Sequence, residues 1–328
     1  MSGGRYGTHC YTRRIEDLGD MTARQSRSES GEAAAAASSG ASLGDYWRAL
    51  RPRHWMRNGL VLVPLISSGH FLQPAAWMRS AIAFAAFSLM SSCVYLFNDV
   101  ADRDHDRIHP RKRLRPIAAG RISRRQALAL AAMLGAAAFL LAWQLHSLAT
   151  LAALAAYVVC NLAYSWGAKH MVITDIFLVA SGFLLRVLVG AYAIAVYVSE
   201  WLFIVTLFLS LAISLVKRRA EVASLSGDAV HHRAVLGEYS ILLLDQLIAI
   251  STAAGVFSYA LYTFHSPHSN SLMLTLPFFI YASFRYLYLA YQKGMGESPE
   301  EILLNDRPFQ INLILYAGSV LAILIWFG

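Results

Sequence analysis

The sequence predicts an all-α fold, a polytopic membrane helix bundle of about nine transmembrane helices, and three observations carry that expectation. Of 328 residues, 57% are hydrophobic and only 15% charged, with a mean hydropathy of +0.46, far from the mixture that a water-soluble globule of this length needs. Apolar runs close to the roughly 20 residues that cross about 30 Å of hydrocarbon recur along the chain. The Lys and Arg residues behind the formal net charge of +8 gather in short segments between those runs. That pattern orients membrane spans and argues against nucleic acid as a partner.

Residues 1–44 are polar and include the low-complexity run Gly31 to Gly40, so they are expected to form a disordered N-terminal tail ahead of a membrane domain at 45–328. No continuous apolar segment precedes Trp55, so no secretory signal is read there, and Met21 is an alternative start. Spans are expected near 56–73, 78–98, 126–145, 147–166, 172–195, 200–216, 241–263, 271–290 and 309–327. With the N-terminus in the cytoplasm, the inner segments hold Arg51, Arg53, Arg57, the basic block Arg103 to Arg125, Lys169, Lys217 to Arg219, Lys293 and Arg307, while the outer loops hold almost only Arg79. This is the positive-inside pattern of a multi-pass protein of the inner (cytoplasmic) membrane. Cys10, Cys93 and Cys160 lie far apart, two of them in apolar runs, which leaves neither a disulfide framework nor a metal-spacing motif. There is no fixed-period repeat. Ionisable residues crowd the inner segments after the second and sixth spans, and chemistry is expected on that face.

The second span ends in Tyr95-Leu-Phe-Asn-Asp-Val-Ala-Asp-Arg-Asp-His-Asp106 without a turn signal, so its helix is expected to continue into the interface. At 100° per residue, Asn98, Asp99, Asp102 and Asp106 fall on one face and Asp104 on the opposite one. Like charges at such spacing repel unless a cation lies between them, and an all-oxygen, partial ligand set suits Mg²⁺, with Mn²⁺ as an alternative. Asp104 is read as a solvated partner of Arg103 or Arg107, and His105 and His109 as polar loop residues rather than ligands. Pro110 and Pro116 break the helix downstream, and Lys112, Arg113 and Arg115 set cations a few residues from the carboxylates. Such a pair of opposite charges suits a Mg²⁺-diphosphate.

Here the chain resembles the UbiA superfamily of intramembrane prenyltransferases, whose N-D-x-x-D-x-x-x-D hallmark matches Asn98, Asp99, Asp102 and Asp106. Further blocks resemble its decaprenyl-phosphate phosphoribosyltransferase branch. They are Leu50-Arg-Pro-Arg-His-Trp-Met-Arg-Asn58, His109-Pro-Arg-Lys-Arg-Leu-Arg-Pro-Ile-Ala-Ala-Gly120, Tyr164-Ser-Trp-Gly-Ala-Lys169 with Asp175, and Ser181-Gly-Phe-Leu-Leu-Arg186. Lys217-Arg-Arg-Ala-Glu221, Val235-Leu-Gly-Glu-Tyr239 and Asp306-Arg-Pro308 continue the likeness. Ala168 stands where the branch is expected to have Leu. Ordinary members carry a second aspartate-rich motif between the sixth and seventh helices; here that segment reads Lys-Arg-Arg-Ala-Glu, with Asp228 farther on.

The resemblance implies transfer of a 5-phosphoribosyl group from phosphoribosyl diphosphate to a polyprenyl phosphate lipid in the membrane. Asp99, Asp102 and Asp106 are the expected metal ligands, with Asn98 beside them. Lys112, Arg115 and Lys169 are expected at phosphate, and Tyr164 and Asp175 at ribose or lysine. Arg186, deep in the fifth span, faces either a cavity or an ion pair with Asp175 or Glu221. Lys217, Arg218 and Glu221 gate or cap the site, or form a solvated helix end. Two other readings are kept: an aromatic prenyltransferase with the same metal face, and a transporter, which would place its charges at midplane in repeated halves. A homo-oligomer is left open.

Overall fold

The computed structural model describes residues 41–108, 112–224, 237–266, 270–297 and 299–327. The expected N-terminal tail lies outside the described residues up to position 40, as do His109, Pro110 and Asp228. All regular structure among the described residues is helical. In chain order the α-helices are α1 (Leu43–Leu50), α2 (Val63–Ser67), α3 (Pro74–Ala101), α4 (Arg103–Ile108), α5 (Arg124–Trp143), α6 (Leu148–Trp166), α7 (Thr174–Ala193), α8 (Glu200–Ser224), α9 (Ile241–Phe264), α10 (Leu276–Gln292), α11 (Pro299–Asn305) and α12 (Arg307–Phe327).

Eight helical stretches are long and apolar enough to cross a membrane: α3, α5, α6, α7, α8, α9, Asn270–Gln292 and Arg307–Trp326. They match the last eight expected spans to within a few residues, except that α8 runs on past 216 to Ser224. The apolar pattern stops at Lys217, but nothing there breaks a helix. The first expected span, 56–73, takes a different form. It winds as 3₁₀ turns over Pro52–Leu62, then α2, then another 3₁₀ turn at His70–Leu72. Pro52 and Pro64 remove backbone donors, and Arg51 (φ 54°) and Gly69 (φ 73°) bend the chain through left-handed backbone. Because a 3₁₀ helix rises about 2.0 Å per residue against about 1.5 Å in an α-helix, this stretch still has a contour of more than about 30 Å. Among the described residues eight helices are long and apolar enough to cross, close to the nine expected, and the 56–73 stretch is not one of them.

The chain divides into two compact units, one formed by 41–50 with Leu96–Leu130 and the other by Arg51–Tyr95 with 131–328. In the smaller unit Ala49, Leu96, Ile117, Ala118, Ile122 and Ala127 are buried, and the Arg121 guanidinium meets Asp45 at 2.9 Å. In the larger unit one core joins Val61, Phe87, Met90, Leu154 and Tyr157, and another joins Ile176, Leu211, Leu215, Leu244 and Ile248. The 3₁₀ segment meets α7 backbone to backbone: a Cβ on Gly190 would stand 1.9 Å from the Val61 carbonyl oxygen. Small residues are how membrane helices gain dispersion contact where no hydrophobic force draws them together.

Candidate active site

In the smaller unit the aspartate face forms as the helical phase predicts. A turn at Asp102 separates α3 from α4, yet Asp102 N–H donates to Asn98 O and Asp106 N–H to Asp102 O, each at 2.8 Å. The α-helical register therefore carries through the break. Asp99 and Asp106 are each 4% exposed, Asp102 and Asn98 are half-buried, and Asp104 is open to solvent. Asp104 pairs with Arg124 at 2.8 Å rather than with Arg103 or Arg107. Those two arginines instead donate to the carbonyls of Ile117 and Ala118 at 3.3 and 3.1 Å, which pins the return loop.

That loop delivers Arg115. Its Nη1 lies 3.1 Å from Asp99 Oδ1 and 2.6 Å from Asp106 Oδ2. Two buried carboxylates thus converge on one point, and a positive charge already sits there. Lys112, half-buried, stands on the 3₁₀ turn just before Arg115. Among the described residues no three His, Cys, Asp or Glu side chains close a cage around a bare ion. A convergent pair of hard oxygen donors with a third carboxylate nearby still fits Mg²⁺, which retains waters and takes further ligands from phosphate.

The larger unit holds the other candidates. Arg218 is buried; its Nη2 pairs with Asp175, which is fully buried, and its Nη1 meets Glu221 Oε2 at 2.5 Å. The Tyr164 hydroxyl also bonds Arg218. Two carboxylates around one guanidinium leave this trio with a net negative charge. Arg218 is thus bridged by two carboxylates, as Arg115 is in the smaller unit. Its neighbour Lys217 differs: the side chain is exposed. Among the described residues no carboxylate lies within ion-pair distance of Lys217. Lys169 is half-buried on the 3₁₀ turn Ala168–His170 that follows α6.

Arg186 makes no ion pair with Asp175 or Glu221. Its Nε donates to Asn58 Oδ1 at 2.9 Å and its Nη1 to Gly182 O at 2.5 Å, while the rings of Phe87, Tyr157 and Phe183 lie 4.8, 5.4 and 5.6 Å from its guanidinium carbon. Cation–π contact and a buried amide replace the expected carboxylate. Asn58 in turn donates to Ser88 and Ser91 at 3.0 and 3.3 Å.

Sequence reasoning missed three side chains. Tyr239 donates to Asp175 Oδ1 at 2.9 Å and accepts the Ile173 N–H at 2.6 Å. Ile173 holds φ 68°, a strained setting for a β-branched residue, and the tyrosine secures the turn that presents Asp175. Burial, foremost, with the neighbouring Asp175 carboxylate, pushes the Tyr239 phenol up to about 12. Arg57 and Glu300 are the other two: both Glu300 oxygens lie 2.7 Å from Arg57 Nη2. Burial raises the Glu300 carboxyl, but His54 and the Arg57 guanidinium outweigh it and hold it well below the usual carboxylate range. All three fall inside or beside charged blocks of the sequence, but nothing local links residue 57 to residue 300.

Comparison with known proteins places this arrangement. The model of the UbiA prenyltransferase family matches residues 61–295. A decaprenyl-phosphate phosphoribosyltransferase of Mycolicibacterium smegmatis is 35% identical over 288 residues, covering 83% of this chain and 90% of that protein. The protein of the same description from Corynebacterium glutamicum is 34% identical, covering 80% and 82%. Among solved structures, a UbiA homologue from Archaeoglobus fulgidus bound to GPP and Mg²⁺ superposes with a TM-score of 0.64 at 18% identity, over 86% of this chain and 99% of that one. The chain is a multi-pass membrane transferase that belongs to the UbiA prenyltransferase family.

Proposed function

We propose that the protein transfers a 5-phosphoribosyl group from 5-phosphoribosyl 1-diphosphate to a polyprenyl phosphate, releasing diphosphate at the cytoplasmic face of the inner membrane. The observation that carries this reading is the inner end of α8. Where a second carboxylate set would serve another diphosphate-bound metal, this chain has the exposed Lys217 and two carboxylates already committed to Arg218. A cation so placed suits a phosphate monoester, which both the donor's 5-phosphate and the lipid phosphate supply. The description shared by the relatives at 34–35% identity supports the same choice.

In this mechanism Asp99, Asp102 and Asp106 would hold Mg²⁺, with Asn98 beside them. When bound, the ion supplies charge stabilisation for the departing diphosphate. Lys112, Arg115 and Lys169 are the candidates for contact with phosphate oxygens, Arg115 on leaving the two carboxylates it bridges here. The bond from ribose C1 to the diphosphate oxygen breaks as a lipid phosphate oxygen attacks C1 from the opposite face, so configuration at C1 inverts. The acceptor is already an anion at neutral pH, and no side chain is needed as a general base. Tyr164 and Asp175 position ribose or lysine.

The alternative, an aromatic prenyltransferase with a prenyl diphosphate donor, draws on the A. fulgidus structure with GPP and Mg²⁺ and on shorter matches to 4-hydroxybenzoate octaprenyltransferases, such as 39% identity over 111 residues with the protein of Cupriavidus necator. Purified protein incubated with Mg²⁺, radiolabelled phosphoribosyl diphosphate and a polyprenyl phosphate separates the two. Labelled lipid is expected. No labelled lipid, with prenylation of an aromatic acid instead, would reverse the assignment.

A further inference from the structure

Arg57 sits in the 3₁₀ segment Pro52–Leu62 and Glu300 in the first turn of α11, 243 residues apart, and both carboxylate oxygens rest 2.7 Å from a single nitrogen, Nη2. That choice of nitrogen matters. A guanidinium offers an anion two fork edges, Nε with Nη2 and Nη1 with Nη2, and both need an Nη2 hydrogen. With Glu300 on Nη2, Arg57 has neither edge to give.

The surroundings are those of an anion site. Lys217, an exposed ammonium, lies within electrostatic reach of Arg57 and Glu300. His54 Nδ1 stands 3.3 Å from Glu300 Oε1, a second cation for that carboxylate whenever the ring is protonated. Tyr286 lies within electrostatic reach of the pair and lines an apolar cavity of about 170 Å³ with Leu209, Ala212, Thr252 and Phe279. The buried hydroxyls of Tyr286 and Thr252 have no hydrogen-bond partner among the described residues.

We propose that Arg57 and Lys217 form a phosphate-monoester subsite in which Glu300 stands in for the phosphate until substrate arrives. The proposal rests on the phosphoribosyl-transfer reading only for the source of that phosphate, sugar or lipid. An incoming ligand must displace a carboxylate that already satisfies Arg57. A monoester dianion, with three oxygens to share between a guanidinium and an ammonium, has the charge to do so; a phosphodiester or a carboxylate has one charge and gains little over Glu300. Displaced Glu300 remains beside His54. Glu300 is therefore a specificity-determining residue that selects by charge.

The test is calorimetric binding to the full-length protein in nanodiscs, with ribose 5-phosphate and farnesyl phosphate as separate probes. Glu300→Gln, which keeps the shape and removes the competing charge, is expected to bind one of the two about tenfold tighter than wild type. The double variant Arg57→Gln with Glu300→Gln, which removes the guanidinium together with its competing carboxylate, is expected to lose that gain. The probe that gains identifies the source of the phosphate. If Glu300→Gln binds both probes no more tightly than wild type, the stand-in role is wrong. Tightening in a protein that makes no labelled lipid would retire the transfer reading and keep the subsite; labelled lipid without tightening would do the reverse.

Discussion

Two of the charged clusters in this molecule are built on different centres. In the smaller unit two carboxylates, Asp99 and Asp106, converge and a guanidinium lies on them. In the larger unit a guanidinium hub, Arg57 Nη2, is held by a carboxylate. Each buried charge meets its complement, as the cost of burying it bare requires. They differ most in reach along the chain. Arg115 finds its carboxylates 9 and 16 residues back, whereas Arg57 finds Glu300 243 residues on. A local site depends on helical phase and one return loop; a distant one depends on the packing of the whole bundle.

The largest effect that bears on this contrast is at the local site. Asp106→Asn keeps the volume and removes one of the two charges that meet Arg115. Turnover in the labelled-lipid assay is expected to fall by at least about 10²–10³-fold, the usual cost of losing one preorganised electrostatic contact in a transition state. Far-UV circular dichroism should match wild type, because the helix register there runs through backbone bonds. Retained activity would remove Asp106 from the proposed metal face.

Packing predicts the next effect, which should strike the distant region and spare the local one. Gly190→Ala puts a methyl where the Val61 carbonyl lies 1.9 Å away. The 3₁₀ segment must shift, at a cost of about 1–3 kcal/mol. That segment carries Arg57 and Asn58, so a lower thermal midpoint should come with weaker phosphate-monoester binding. Mg²⁺ binding should hold. If both decline equally, the two regions are not independent.

The same contrast explains what could be read from residues alone. The aspartate face was legible because a 100° helical step decides it: Asp99 and Asp106 are buried and Asp104 is not. Eight spans were legible from apolar length. The first was legible as an apolar run but not as a 3₁₀ form, because Pro and Gly positions fix that form only together with close packing on Gly190. Arg186 was legible as an expensive buried charge, but its partners were not. Three aromatic rings and Asn58 come from α3, α6, α7 and the 3₁₀ segment, and periodicity within one element cannot pair residues across several. Tyr239 was part of a block of resemblance, yet its bond to Ile173 depends on a left-handed turn that no β-branched residue advertises.

Tyr239→Phe tests that turn with a smaller effect. The variant removes the donor to Asp175 and the acceptor for the Ile173 N–H, and about 1–2 kcal/mol of stability should go with them. The pH dependence has a definite sign. Because the phenol is pushed up from 10.0 to about 12 in the folded state, its stabilisation is fully present below pH 10 and drains away as pH rises toward 12. Chemical denaturation at pH 8 and pH 11 should show wild type losing more stability than the variant over that interval. An equal loss would mean that Tyr239 does not govern the alkaline limb.

The smallest effect is expected where sequence and structure agree that nothing is held. Asp104→Asn removes a charge lying in the middle of the aspartate-rich run, so composition alone would rank it with Asp102 and Asp106. Helical phase points it away, and its contact is a surface pair with Arg124 in which the two side chains are 69% and 50% exposed. Solvent screening leaves such pairs worth about 0–1 kcal/mol. Turnover and thermal midpoint should therefore stay close to wild type. A large loss of activity at this position would show that the run acts as a diffuse negative field rather than as one face of a helix. The contrast drawn from helical phase would then fail at its simplest point.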